Sequence, residues 1–175
     1  LTVFRAVRRR IKQPTDVDVI VQELGTDRPG QIPHFGTYLK PDIAVVTSVA
    51  PEHMEFFKTM DVVAAEELSA VNYSRAALIN RDDIPGVYAA DITNPNINTY
   101  GTTENAEYRF ETQDYNLEGG FSGAFIAPEW SVSVPVTLQV IGEHSTRAAV
   151  AAGAVGVRLG MSEAEVASGM AKIRA

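Results

Sequence analysis

Short apolar, β-branched runs alternate with stretches of helical spacing over the first half of the chain. Strand patterns cover residues 16–24, 43–48 and 76–80, and helix patterns lie between them, over residues 29–39 and 61–73. Strands that alternate with helices of this length imply βαβ crossovers and a parallel sheet. The sequence therefore predicts an α/β fold in which a mostly parallel sheet is flanked by helices. In the second helix, Asp61 is the expected cap, and Val62, Leu68 and Val71 are expected to face inward.

The pattern changes after Asp82. Residues 94–98 predict a turn, and short alternating stretches follow at residues 107–111, 123–127 and 131–139. Gly-Gly and Pro-Glu pairs separate these stretches, as in antiparallel hairpins. We therefore expect a smaller antiparallel β part, a subdomain within residues 100–140.

Two helices are expected at the end of the chain. Residues 144–159 are rich in Ala, Gly and Val, so this helix can pack closely against a sheet until Gly160 ends it. Ser162 and Glu165 have the spacing of a capping box for a last helix that runs to the end of the chain.

Composition excludes several classes of protein. The 175 residues can form one domain with a sizeable core, and a net charge of −7 argues against a general nucleic-acid binder. The chain has no cysteine, which excludes disulfide scaffolds, thiolate zinc sites and cysteine nucleophiles. This makes a cytoplasmic location the default expectation. No apolar stretch approaches 18 residues, so no membrane span is predicted.

The first twelve residues have a different character from the rest. Leu1, Phe4, Val7 and Ile11 recur near helical spacing among five basic residues, which predicts a short basic amphipathic helix. A solvated surface helix and a helix that contacts a membrane or an anion both remain open. Because the chain begins with Leu1 and shows no targeting segment, we expect a piece of a larger protein.

Several catalytic motifs are absent from the sequence. No glycine is followed by lysine, so there is no phosphate loop of the Walker A type, and no H-E-x-x-H zinc motif occurs. The stretch at residues 120–124 lacks the final glycine of a nucleophile elbow. The three histidines, at 34, 53 and 144, are scattered. No catalytic residue is therefore identified from motifs.

Polar residues follow the predicted parallel strands at their carboxyl ends, where open α/β sheets bind ligands. Glu23 ends the first strand and His53 follows the second, although an acid that simply reaches water and a structural histidine remain alternatives. Residues 142–146 open the helix rich in small residues, whose free N–H groups suit an anion or a nucleotide. Capping of the helix by Ser145 or Thr146 explains this stretch equally well.

Four segments of the chain resemble motifs of one family. Residues 22–32 resemble E-[LI]-G-x-x-x-x-G-E-I, residues 41–57 resemble P-D-I-A-V-V-T-N-I-x-x-A-H-L-E-x-F, residues 78–83 resemble I-N-x-D-D, and residues 142–144 head a helix that resembles G-x-H-N-x-x-N-A-x-A-A. Their order and spacing over almost the whole chain are similar to the central ATPase domain of the Mur ligases. These are the ATP-dependent amide ligases that build the peptidoglycan peptide stem, and the branch that adds the terminal dipeptide is the most similar.

The resemblance implies a P-loop NTPase-like fold and a reaction. ATP would phosphorylate a carboxylate of a nucleotide-linked peptidoglycan precursor, and the amine of an amino acid or dipeptide would attack the resulting acyl phosphate. Mg²⁺ suits this chemistry, because it can keep phosphate oxygens and water in its coordination shell. No nucleic acid and no membrane span are implied as partners.

The resemblance also implies roles for particular residues. The metal-site residues would be Glu23 and His53; the residues near ATP would be Asn80, His144, Ser145 and Thr146; and those near the precursor would be Thr26 and Arg28.

The chain departs from the family pattern at three positions and in one motif. Ala65 stands where the family has a lysine that is often carbamylated to hold a second metal, and Ser145 and Ala148 stand where it has asparagines. The phosphate loop is missing from the sequence. We therefore expect residues 1–175 to be a single middle-domain fragment that does not turn over ATP alone. A folate polyglutamate synthetase-like ligase, or a degenerate domain that binds a nucleotide or partner without catalysis, remains an alternative.

Overall fold

The computed structural model describes residues 17–174 of the chain. In this part of the chain, one six-stranded sheet has its strands in chain order, each beside the next. The strands are β1 (Ile43–Val46), β2 (Ala76–Asn80), β3 (Ile97–Gly101), β4 (Tyr108–Asn116), β5 (Gly120–Ile126) and β6 (Val134–Leu138).

The first half of the sheet is parallel and the second half is antiparallel. β1 pairs with β2, and β2 with β3, in parallel, with Val46 opposite Ile79 and Asn80 opposite Tyr100. A short parallel pairing joins β3 to β4, after which β4, β5 and β6 pair antiparallel. The mostly parallel α/β sheet with an antiparallel part is therefore confirmed, and both parts belong to the same sheet.

Five α-helices connect or cover the strands among the described residues, with a 3₁₀ helix at Gly86–Asp91. None of them is long and apolar enough to cross a membrane. The helices are α1 (Gln31–Phe35), α2 (Met54–Phe57), α3 (Met60–Tyr73), α4 (Glu143–Arg158) and α5 (Glu163–Met170).

Local sequence explains the starts of two helices. Thr59 caps α3 by accepting a hydrogen bond from the backbone N–H of Val62 at 3.4 Å, so the cap is Thr59 and not Asp61 as expected. Ser162 and Glu165 form the predicted capping box of α5. This last helix ends at Met170, before the end of the chain.

Two hydrophobic cores lie against the sheet. One joins α4 and α5 to the strands of the second half, with Tyr108, Phe110 and Phe125 fully buried. The other joins α3 to β1 and β2, with Leu68 and Val71 fully buried. α3 and α4 thus each bury one apolar face against the sheet, and this packing positions their polar ends.

Three predictions for the first half of the chain are wrong. Residues 17–24 form no strand, and Val21 is 91% exposed, because these residues pair with no strand in the described part of the chain and are covered by no helix. The helix expected at residues 29–39 is only Gln31–Phe35. Val62 is 38% exposed, while its neighbour Val63 is buried, because the buried face of α3 includes Val63, Leu68 and Val71 and leaves position 62 outside it. The basic N-terminal helix pattern lies outside the described residues.

Candidate functional site

Asn80 ends β2 and organises the carboxyl edge of the parallel strands. Its side chain is buried, and its amide nitrogen donates to the backbone oxygen of Thr47 and to Asp83 Oδ2, both at 2.7 Å. Its amide oxygen accepts from the backbone N–H of Asp82 at 3.0 Å. Both N–H donors of this amide are therefore committed within the protein, so Asn80 fixes the turn after β2.

Asp82 holds the loop that follows β3. Its carboxylate accepts hydrogen bonds from the backbone N–H groups of Thr102 and Thr103, at 2.6 and 3.3 Å, and from both threonine hydroxyls at 2.8 Å. Burial by itself would raise the pKa of Asp82, but these hydrogen bonds stabilise the carboxylate and hold its pKa below the ordinary value. Asp82 is therefore a fixed negative charge at this edge.

Arg147, in the first turn and a half of α4, connects that helix to the same edge. Its Nη1 donates to both carboxylate oxygens of Asp83, at 2.9 and 3.0 Å. Its Nε lies 3.5 Å from Asp82 Oδ2 and makes no hydrogen bond among the described residues. The two aspartates and one arginine leave this cluster with a net charge of −1, a setting that disfavours a directly bound phosphate.

Tyr100 closes the cluster from β3. Its hydroxyl donates to the backbone oxygen of Val46 at 3.3 Å, at the carboxyl end of β1. Burial, and then the charges of Asp83 and Asp82, raise the pKa of Tyr100 far above its ordinary value. The phenol therefore stays neutral and acts as a donor that ties β3 to β1.

The start of α4 lies beside this cluster and has unused hydrogen-bonding groups. Gly142 caps the helix with φ 81° and supplies no side-chain cap; a Cβ here would also meet the His144 ring at 2.7 Å. Thr146 is 1% exposed, and its hydroxyl has no hydrogen-bond partner among the described residues. Because a buried hydroxyl without a partner costs free energy, this atom points to a missing polar partner.

The two predicted metal-site residues both lie on the surface. Glu23 belongs to the mostly exposed segment at residues 17–24, which has no regular secondary structure, and His53 precedes α2 with a left-handed backbone of φ 49°. No hydrogen bond or ion pair joins them in the described part of the chain, and residues 17–174 contain no group of three acidic or histidine side chains placed to hold a metal. Their role in a metal site stays a prediction.

The loop with the two predicted precursor-binding residues contacts α2 and α3. The Thr26 hydroxyl lies 2.9 Å from the Arg28 carbonyl, 3.0 Å from Gln31 Oε1 and 3.2 Å from Glu66 Oε1. The Arg28 guanidinium lies over the Phe56 ring, 4.8 Å from its centre. The loop therefore connects α2 and α3 through contacts on both sides.

Glu67 lies two residues after Ala65, the position of the missing lysine, and its carboxyl group is partly buried near two other acids. Burial, followed by the charges of Glu52 and Glu66, raises the pKa of Glu67 above its ordinary value. Ala65 is exposed on α3 and supplies no cation to this group.

The family resemblance assigned Asn80 and residues 142–146 to the surroundings of one nucleotide. In the structure, Asn80 and Arg147 of α4 both bond to Asp83, so the start of α4 lies near the end of β2. Sequence reasoning missed Arg147 and Glu66, because both act through partners more than thirty residues away. A charged residue inside an otherwise small and apolar helix is the sequence signal that could have found Arg147.

An open sheet edge with polar side chains at the ends of two parallel strands, β2 and β3, and a helix start without a side-chain cap are typical of ligand-binding α/β domains. The comparison with known families makes the class specific. Residues 6–156 match the model of the Mur ligase middle domain, and the chain belongs to this family.

Curated relatives agree with this assignment. The chain is 24% identical over 172 residues to the UDP-N-acetylmuramoyl-tripeptide–D-alanyl-D-alanine ligase of Bacillus subtilis. This alignment covers 94% of the chain and 35% of that protein. It is 32% identical over 143 residues to the UDP-N-acetylmuramate–L-alanine ligase of an Arthrobacter species. That alignment covers 77% of the chain and 29% of that protein. The chain thus spans about a third of the length of these relatives.

Solved structures share the fold. MurF from Acinetobacter baumannii has a TM-score of 0.72 at 19% identity, over 87% of this chain and 33% of that one. MurF ligase from Thermotoga maritima in complex with ADP has a TM-score of 0.61 at 24% identity, over 81% of this chain and 34% of that one. The fold of a Mur ligase middle domain is confirmed.

Proposed function

We propose that this chain is the ATP-binding middle domain of a ligase that joins an amino acid or dipeptide to a carboxylate of a nucleotide-linked peptidoglycan precursor. Family membership and the names of the relatives support this activity. In the proposed enzyme, which acts in the cytoplasm, residues 1–175 form a single middle domain with an antiparallel subdomain at residues 100–140. The fragment alone is proposed to be inactive.

The Thr146 hydroxyl, which has no hydrogen-bond partner among residues 17–174, is the observation that carries the proposed ATP site. This buried atom lies near the start of α4, one residue before Arg147, which bonds to Asp83 and lies 3.5 Å from Asp82. Because the cluster has a net charge of −1, the adenosine end of ATP fits here better than its phosphates. His144 and Ser145 would line the nucleotide, and Asn80 would act by fixing the turn below it.

The residues of this chain supply positions and charges for the reaction. ATP, when bound, supplies the phosphoryl group that activates the precursor carboxylate. Glu23 and His53 would hold Mg²⁺, because both are exposed and neither is committed to an ion pair among the described residues. Two protein ligands suffice for Mg²⁺ only when phosphate oxygens and water complete its shell. Thr26 and Arg28 would face the precursor, where the guanidinium suits a phosphate or carboxylate.

A non-catalytic domain is the second candidate, and one observation favours it. Ala65 is exposed where a lysine is expected, and α3 carries no Lys, Arg or His between Met60 and Tyr73. A domain of this kind would bind a nucleotide without transferring a phosphoryl group. A folate polyglutamate synthetase-like ligase is distinguished from the leading proposal by its substrates.

The complete reading frame that contains this chain provides the test. We expect the purified protein to release phosphate from ATP only when a UDP-N-acetylmuramoyl substrate and an amino acid or dipeptide are both present. Glu23→Ala should lower this turnover by at least about a hundredfold while the melting temperature stays close to that of the wild type. Nucleotide binding without turnover would favour the non-catalytic domain.

A further inference from the structure

A buried carboxylate on α3 lies beneath the loop at residues 26–32. Glu66 is only 5% exposed, and its two oxygens accept hydrogen bonds from the backbone N–H groups of Gly30 and Ile32, both at 2.7 Å. The Thr26 hydroxyl lies 3.2 Å from Oε1. The three groups are 34 to 40 residues away in sequence, so the contact is entirely tertiary.

Within residues 17–174, the hydrogen bonds to the Glu66 carboxylate all come from this loop. No lysine, arginine or histidine forms an ion pair with it in the described part of the chain. A buried carboxylate is costly unless hydrogen bonds replace its hydration, and the backbone N–H groups do so here. These N–H groups at the start of α1 have no acceptor of their own, since Gly30 provides no side-chain cap. Carboxylate and loop therefore satisfy each other.

The loop is internally connected, so the anchor at Glu66 fixes all of it. Gln31 Oε1 accepts from the backbone N–H groups of Asp27 and Arg28, at 2.7 and 3.2 Å. At the other end, the Tyr73 hydroxyl donates to the Ile32 carbonyl at 3.1 Å. The position of the Arg28 backbone thus depends on Gln31, whose own neighbours on both sides are held by Glu66.

We propose that Glu66 is a positioning residue that holds the loop at residues 26–32 in the conformation that presents Thr26 and Arg28 to an anionic substrate. The inference rests on the proposed function for the identity of that substrate, a nucleotide-linked precursor with phosphate and carboxylate groups. When Glu66 is lost, the N–H groups of Gly30 and Ile32 lose their acceptor. The Arg28 guanidinium is then no longer held over the Phe56 ring.

Amide hydrogen exchange of the chain, read by NMR, tests the anchor without any ligand. Glu66→Gln keeps the size of the side chain but turns an NH₂ group toward one of the two N–H donors. We expect the amides of Gly30 and Ile32 to exchange about tenfold faster, the effect of losing one hydrogen bond of this kind. The β2 amides of Leu78 and Ile79 should keep their wild-type rates. Unchanged rates in the loop, or an equal rise in β2, would overturn the proposal.

A matched control and a milder variant complete this experiment. Glu67→Gln changes the adjacent residue, which makes no side-chain hydrogen bond among the described residues, and should leave the Gly30 and Ile32 rates unchanged. Thr26→Val removes the hydroxyl that lies near Glu66, Gln31 and the Arg28 carbonyl but keeps the Glu66 carboxylate, and it should give a smaller rise at the same two amides. It keeps the test decisive if Glu66→Gln does not fold, because no rise in Thr26→Val would then count against the anchor.

Titration with UDP-N-acetylmuramate separates positioning from the proposed function. In the wild-type chain we expect shifts of the Thr26 and Arg28 amides, and in Glu66→Gln a dissociation constant at least about fivefold weaker. Equal affinity in the two proteins would overturn the positioning role. Absence of shifts in the wild-type chain would contradict the proposed substrate, while the exchange rates would still decide whether Glu66 anchors the loop.

Discussion

Arg147 Nη1 donates to both oxygens of Asp83, at 2.9 and 3.0 Å, and so fastens the start of α4 to the carboxyl end of β2. The two residues are 64 positions apart in the sequence. Asp83 also accepts from Asn80, the last residue of β2. This pair therefore sets where the open start of α4 lies relative to the edge of the sheet.

Arg147→Ala should lower the free energy of unfolding by about 1–3 kcal/mol, because it leaves Asp82 and Asp83 close together without their cation. Arg147→Lys should recover only part of this loss, since an ammonium cannot reach both oxygens of Asp83 and Asp82 in one planar geometry. Urea denaturation of the two variants measures the difference. An alanine variant as stable as the wild type would show that the pair contributes nothing to folding.

Gly36→Ala should destabilise the chain by about 1–3 kcal/mol, because the new Cβ would lie 2.5 Å from a ring carbon of Tyr73. The Tyr73 ring cannot move away freely, since its hydroxyl is bonded to the Ile32 carbonyl. Gly169→Ala is the control: no atom lies within 4 Å of its added Cβ, and it should stabilise α5 by about 0.5–1 kcal/mol. Thermal melts of both variants check the opposite signs.

The lowered pKa of Asp82 predicts a loss of stability in acid. A carboxyl group with a lower pKa in the folded state stabilises the protein above its unfolded pKa, and this contribution is lost as the pH falls through the folded value. The Asp82→Asn variant should therefore show a smaller loss of unfolding free energy between neutral pH and pH values below the ordinary 3.8 of an aspartate. Identical pH profiles for variant and wild type would contradict the assignment.

The raised pKa of Glu67 predicts the opposite pH dependence of stability. Its pKa is raised by burial and by Glu52 and Glu66, so the folded state holds the proton more tightly and stability is lost as the pH rises from 4.5 through the folded pKa. Glu67→Gln should thus be more stable than the wild type at neutral pH, and the difference should shrink in acid. Urea titrations over this range provide the measurement, and a variant less stable than the wild type at neutral pH would contradict it.

The sequence predicted a strand correctly where its apolar pattern coincides with the presence of neighbouring strands to pair with. The apolar run at residues 76–80 forms β2 with the expected bounds, because it is buried on both faces between two neighbours. The run at residues 17–24 has a similar composition and forms no strand, because composition does not specify a hydrogen-bonding partner. Strand formation depends on such a neighbour, which a single run of residues does not reveal.

The candidate site was predictable to a similar degree. Thr146 and Asn80 could be located, since a helix start and a strand end have local signals. The anchor at Glu66 could not, because nothing in the sequence around residue 66 indicates that a loop more than thirty residues earlier supplies its hydrogen bonds. A glutamate on an amphipathic helix is usually at the surface, and this one is buried.

The hydroxyl of Thr146 is buried and has no hydrogen-bond partner in the described part of the chain. Thr146→Val keeps the shape of the side chain and removes only this polar atom. In the ligand-free chain, the free energy of unfolding should stay the same or rise by up to about 1 kcal/mol, because no hydrogen bond within the protein is lost. Thr137→Val, at an exposed position on β6, is the matched control and should change neither stability nor binding. Titration with ADP, followed by the amide shifts of Ser145 and Thr146, should show weaker binding for Thr146→Val only.

A loss of more than about 1 kcal/mol of stability in Thr146→Val would mean that the hydroxyl stabilises the fold instead. Wild-type affinity for ADP in the Thr146→Val protein would remove this atom from the nucleotide site.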